Sequence, residues 1–77
     1  DMARIMRIAV KNDASYVVLA HNHPSGIAMP SDADIVSTRT IEQALKMCGI
    51  ILLDHIITAG GKCISMRTKL DRNGKVG

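Results

Sequence analysis

Apolar residues recur at Met2, Ile5, Met6, Ala9 and Val10, the spacing of threes and fours that lines one face of a helix. This predicts an amphipathic helix over roughly residues 2–10, ended by Asn12-Asp13. From Ser15 to Ala20 the pattern becomes an almost unbroken β-branched run, which suits a buried strand. Pro24, Gly26 and Pro30 punctuate the next stretch as a loop. Ser31 then carries the side chain of an N-cap, and Asp32 and Asp34 put negative charge in a first helical turn, where the helix dipole favours it. This second helix is expected to reach Met47 or Cys48, with Gly49 as its stop. Its inward stripe is Asp34, Thr38, Ile41, Leu45 and Cys48. Ile50 to Ala59 predicts a second strand, polar only around Asp54 and His55. Gly60-Gly61 fits a two-residue hairpin turn, and Lys62 to Met66 a third strand. Beyond Arg67 the chain turns polar, Asn73-Gly74 reads as a turn, and about residues 68–77 are expected to form a flexible tail. Helix, strand, helix, strand, strand is an α/β order.

Composition narrows the functional classes. The chain has 77 residues, room for one small domain or a piece of one. At this length only about 60–65% of the unfolded surface is buried. Tyr16 is the sole aromatic, so the core is aliphatic and binding of nucleic acid by base stacking is poorly supported. The net charge is +3, with Arg4, Arg7 and Lys11 at helical spacing and Lys62, Arg67, Lys69, Arg72 and Lys75 near the end. These read first as a solvated face and a basic tail, and DNA as a partner rests on them alone. Cys48 and Cys63 lack CxxC spacing and are expected to be reduced, buried thiols of a cytoplasmic protein. The longest apolar run, Gly49 to Leu53, is too short to span a membrane, and no signal-peptide pattern is present.

The candidate chemistry sits between the first strand and the second helix. His21 and His23 are two apart at the strand's end, so their side chains share one side. Asp34 opens the buried face of the helix and points back toward them. Two imidazole nitrogens and one carboxylate oxygen form a common ligand set for catalytic zinc, which keeps a fourth position open. The competing reading is a hydrogen-bonded structural cluster. Asn22 faces the other way and, with Ser25 and Gly26, shapes the loop. Asp54 and His55 are strand neighbours facing opposite sides; they read first as a satisfied polar pair at the strand's edge, with a buried partner or support of a zinc ligand as the alternative for one of them.

The spacing H-x-H-x7-S-x2-D, filled by His21, His23, Ser31 and Asp34, resembles the signature of the JAMM (MPN+) metallopeptidases. The fuller string HNHPSG…PS..D, with Thr38 and the later Leu53-Asp54-His55-Ile56-Ile57, is similar to the bacterial RadC branch of that family, over roughly Met2 to Arg67. The resemblance implies a JAB/MPN-like α/β sandwich, related to the cytidine-deaminase fold. It implies that His21, His23 and Asp34 hold one Zn²⁺ with water in the fourth position, and that Ser31 donates a hydrogen bond to the oxyanion of an attacked carbonyl. Ser31 thus has two candidate roles, cap and oxyanion donor. The implied substrate is a peptide or isopeptide, and the branch name links the family to DNA repair.

One part of the implied site is missing. JAMM enzymes use a glutamate upstream of the HxH as proton carrier, and the sole glutamate here is Glu42. It lies eight residues past Asp34, about 12 Å along the helix axis. Asp1 and Asp13 do not match the family's position either. Residues 1–77 are therefore expected to be the C-terminal portion of one RadC-like JAB/MPN domain without its first strands, hydrolysing weakly or not at all. An open sheet edge would favour homo-oligomers. The alternative reading is a DNA- or protein-binding module with structural zinc. A nucleoside or base deaminase is disfavoured, because His23 replaces the glutamate of H-x-E and no CxxC follows.

Overall fold

A computed structural model describes residues 1–68. The elements are α1 (Met2–Lys11), β1 (Tyr16–Asn22), α2 (Asp32–Met47), β2 (Ile51–Ala59) and β3 (Lys62–Ser65). The Asp1 carboxylate accepts hydrogen bonds from the N–H groups of Ala3 and Arg4, capping α1. Of the expected stripe, Ala9 is buried and Ile5 and Met6 are half-buried, while Met2 and Val10 stay exposed.

The three strands form one sheet in the order β1-β2-β3. β1 and β2 run parallel, with α2 as the crossover that parallel pairing requires. β2 and β3 are antiparallel, joined by Gly60 (φ 54°) and Gly61 (φ 77°). Both residues need positive φ in the tight turn that matches strand twist, which explains the glycine pair. Helices α1 and α2 share one face of the sheet, where Ala9, Ile41, Leu45, Ile50 and Leu52 form the core with Val17 and Leu19 against it. The opposite face shows Tyr16, Val18, Ile51 and Leu53 to solvent, and among the described residues β1 has a free outer edge. The architecture is thus mixed α/β in two layers.

One irregularity decides which β2 side chains reach the site. Val17 pairs with Leu52, but Val18 pairs with Asp54, so Leu53 is an extra residue in β2. Strict alternation from buried Leu52 would send Asp54 inward and His55 outward. The bulge reverses the phase, and His55, Ile57 and Ala59 are buried on the helix-covered side.

The cysteines depart from expectation: Cys48 and Cys63 are both exposed free thiols. Cys48 is the C-cap of α2, just beyond the helix, where Gly49 turns the chain toward β2. Cys63 pairs with Thr58, next to inward-facing Ile57, and so shares the outward face. β3 stops at Ser65, one residue short of the expected end, because residues 66–68 begin a helical turn. Apart from Thr68, the expected tail and its Asn73-Gly74 turn lie outside the described residues.

Gly49 closes α2 with φ 75°, and a Cβ there would meet no atom within 4 Å. The cost of Gly49→Ala is therefore backbone strain alone, about 1 kcal/mol. Denaturant unfolding is expected to show that loss, and Gly49→Asn should recover part of it, because Asn tolerates the left-handed region. Equal stability of the glycine and alanine chains would contradict the assignment of this stop.

Candidate metal centre

β1 extends two residues beyond the expected strand, so His21 is a strand residue on the side of Val17 and Leu19. The ladder continues one step further, with the His23 N–H donating to the Thr58 carbonyl at 2.8 Å. The chain then turns through Gly26 (φ 83°), whose N–H donates to the His23 carbonyl. This turn brings the Ile27 carbonyl to 3.0 Å from His23 Nδ1.

Asp34 arrives from α2. Ser31 is the N-cap: its Oγ accepts from the Asp34 N–H at 3.1 Å, while Asp34 Oδ2 accepts from the Ser31 N–H at 2.8 Å. This reciprocal capping box locks the carboxylate at the helix start. Oδ2 lies 3.0 Å from His23 Nε2 and Oδ1 lies 3.7 Å from His21 Nδ1. The two imidazoles meet edge to face, with centroids 4.8 Å apart. The cluster sits where a parallel strand ends and its crossover helix begins, the usual position for ligands in open α/β sheets.

The hydrogen bonds fix the chemistry of this group. A backbone carbonyl only accepts, so His23 Nδ1 carries the proton given to Ile27. Nε2 of a neutral His23 then presents a lone pair to Asp34 Oδ2. The Ser31 N–H, beside Asp34, first among several causes, holds this carboxyl below its ordinary value of 3.8. Burial opposes that shift, and the Ser31 hydroxyl and both histidines add to it. The carboxylate is thus ionised at neutral pH, and two lone pairs 3.0 Å apart need a cation between them. A proton on Nε2 or a metal ion satisfies that demand.

The donor set fits a metal. One ligand atom each from His21, His23 and Asp34 lies within 4.8 Å of the others. Tetrahedral zinc with bonds of about 2.0–2.2 Å separates its ligand atoms by roughly 3.3–3.6 Å, so small rotations of these side chains suffice. His21 is exposed, leaving one side of the group open to solvent.

The other candidates divide. The Ser31 oxygen accepts the cap bond and its proton is not used there, so capping and hydrogen-bond donation do not compete. Glu42 is exposed and pairs with Arg67 at 3.5 Å, away from the three ligands. Asp54 faces away from the cluster, accepting hydrogen bonds from Ser65 Oγ and from the N–H groups of His55 and Arg67. His55 is buried, 8% exposed, and stacks on His21 with ring centroids 5.9 Å apart. Thr38 Oγ1 lies 2.6 Å from His55 Nδ1. The inward stripe of α2 already placed Thr38 four residues from Asp34, but no local signal paired it with His55.

Burial, followed by the nearby His21, holds the His55 imidazole below its ordinary value of 6.5, with Asp34 and Asp54 partly opposing. On acidification the unfolded chain takes this proton first. Stability is therefore full above about pH 6.5 and falls as the pH drops toward the lower folded value. Asp54, whose burial would raise its carboxyl, is held below 3.8 by Ser65, Arg67 and His55, and adds a second loss below pH 3.8, as does Asp34. Urea unfolding of the metal-free chain is expected to give a lower midpoint at pH 5.5 than at pH 7.5. His55→Phe should flatten that slope; an unchanged slope in the variant would contradict the assignment to His55.

Comparison with known proteins covers most of the chain. The RadC-like JAB domain family matches residues 1–72. A UPF0758 protein of Pseudoalteromonas translucida is 51% identical over 61 residues, covering 79% of this chain and 27% of that protein. A UPF0758 protein of Bordetella petrii is 50% identical over 62 residues, covering 80% of this chain and 28% of the relative. One of Dechloromonas aromatica is 50% identical over 56 residues, covering 73% and 25%. The chain thus spans about a quarter of the length of the curated relatives it matches. With the His21, His23 and Asp34 cluster on an α/β frame and a family match over residues 1–72, the chain belongs to the RadC-like JAB domain family.

Proposed function

We propose that this chain is the zinc-binding part of a JAMM-type metallohydrolase whose substrate is a peptide or isopeptide amide. The observation that carries the reading is the approach of His23 Nε2 to Asp34 Oδ2, with Nδ1 already committed to a carbonyl. A structural cluster would be served equally well by a histidine turned to donate to the carboxylate. Here the Ile27 carbonyl selects the tautomer that aims a lone pair at the shared centre, as second partners of metal-bound histidines do.

His21, His23 and Asp34 would hold the ion. When bound, zinc supplies Lewis acidity, polarising a carbonyl and acidifying water toward neutral pH. The remaining work falls to the chain. Asp34, kept anionic by the capping box, offsets part of the ion's charge. Ser31, with its proton free of the cap, would donate to an oxyanion at the start of α2. The capping box also limits the freedom of both side chains, so little reorganisation is needed at the moment of reaction.

Hydrolysis also needs a further group that carries a proton to the leaving amine. Glu42 is held by Arg67 and does not face the three ligands. This chain is therefore expected to bind zinc and to hydrolyse amides weakly or not at all. Native mass spectrometry of the purified chain tests the binding. One zinc per chain, lost in a His21→Ala, His23→Ala double variant, is the expected result. A wild-type chain that stays metal-free with zinc supplied at neutral pH would overturn the reading and favour a binding module.

A further inference from the structure

We propose that His55 is a positioning residue for the metal ligand His21, and that Thr38 and Met66 set its tautomer. The inference rests on the zinc-site reading and extends it to a layer of side chains behind the ligands.

Four observations converge. The Leu53 bulge turns His55 to the side of the sheet that carries His21, which pairs with neighbouring Ile57. The His55 ring lies against the His21 ring, centroids 5.9 Å apart and planes 25° from parallel. The stack covers one face of an otherwise exposed ligand. The Thr38 hydroxyl donates to Met66 Sδ at 3.6 Å, and the same oxygen lies 2.6 Å from His55 Nδ1. In the proposed arrangement the hydroxyl proton goes to sulfur, the oxygen accepts from His55, and His55 carries its proton on Nδ1. Met66 in turn is 1% exposed and held by the turn after β3. Asp54 orders that turn, accepting from Ser65 Oγ and from the Arg67 N–H.

The Asp54-His55 pair therefore has a divided purpose across the two faces of β2. Asp54 fixes the turn that buries Met66, and His55 receives that order through Thr38 and passes it to His21. Thr38 also sits one turn beyond Asp34 on the same face of α2. A single helix face thus supplies one ligand and the anchor for the support of another.

The test compares Thr38→Val, nearly the same shape without the hydroxyl, with Thr38→Ser, which restores it. Zinc affinity is measured by competition with a chromophoric chelator, and Co²⁺ absorption reports the geometry of the site. Thr38→Val is expected to weaken zinc about tenfold and shift the cobalt bands, as loss of a supporting partner does. Thr38→Ser should return both to within about twofold of wild type, which a merely structural loss would not require. In the metal-free chain, long-range ¹H–¹⁵N spectra are expected to show His55 protonated on Nδ1, with the preference lost in Thr38→Val. A folded Thr38→Val chain with wild-type zinc affinity and an unchanged cobalt spectrum overturns the proposal, as does His55 protonated on Nε2 in the wild type. A wild-type chain that binds neither metal fails differently: it removes the zinc reading itself, and this role with it.

Discussion

Asp34→Asn is expected to abolish zinc binding at micromolar metal while leaving the chain folded. The substitution separates two functions that one carboxylate performs. Oδ2 accepts from the Ser31 N–H in the capping box and faces His23 Nε2 at the centre. An Asn carbonyl oxygen still closes the capping box, so helix α2 keeps its start. What disappears is the negative charge and the anionic ligand. Removing a supporting partner of a metal site costs about 10–100-fold in affinity, and removing a ligand should exceed about a hundredfold. Asp34→Ala should lose the metal equally and lower stability by about a further 1 kcal/mol, the usual cost of losing a cap. Isothermal titration with zinc and thermal melts of the metal-free chains measure the two effects independently. An Asn variant that retains one zinc at wild-type affinity would sink the three-ligand assignment.

The gathering of His21, His23 and Asp34 could be read from the sequence because it depends on local rules. Strand alternation puts His21 and His23 on one side, and an N-cap followed by two acids predicts a helix whose third residue points back to the sheet. The Gly60-Gly61 turn and the Gly49 stop follow from conformations that glycine adopts without strain. What escaped local reading was set by register. Nothing in Leu52-Leu53-Asp54-His55 announces that β2 carries an extra residue against β1, yet that residue decides which of two polar neighbours is buried. The same holds for Cys63, whose outward face follows from pairing with Thr58. Cys48 misled for a different reason: the helical stripe holds only as far as the helix does, and α2 ends at Met47 with Cys48 as its C-cap. Ser31 posed a choice between cap and donor, and geometry removed the conflict, because accepting and donating use different parts of one hydroxyl.

The second large effect is predicted at Leu45, which is wholly buried where α2 meets the sheet. Leu45→Ala removes most of that side chain and is expected to cost about 2–5 kcal/mol. A chain this small has little margin, since domains of this size carry total stabilities near about 5 kcal/mol. The metal-free variant is therefore expected to lose most of its helical circular dichroism at 25 °C. Leu45 lies three turns along the helix that carries Asp34, so its loss reaches the metal centre only through docking of α2. Zinc held by His21, His23 and Asp34 would bind only the docked state, and metal at a hundredfold excess over its dissociation constant would return about 2.7 kcal/mol. Added zinc should accordingly restore most of the helical signal in Leu45→Ala, and should restore none in Leu45→Ala combined with Asp34→Asn. Recovery in the double variant would show that zinc acts elsewhere on the chain. No recovery in either, with wild-type zinc binding intact, would mean that docking of α2 and assembly of the ligands are not coupled.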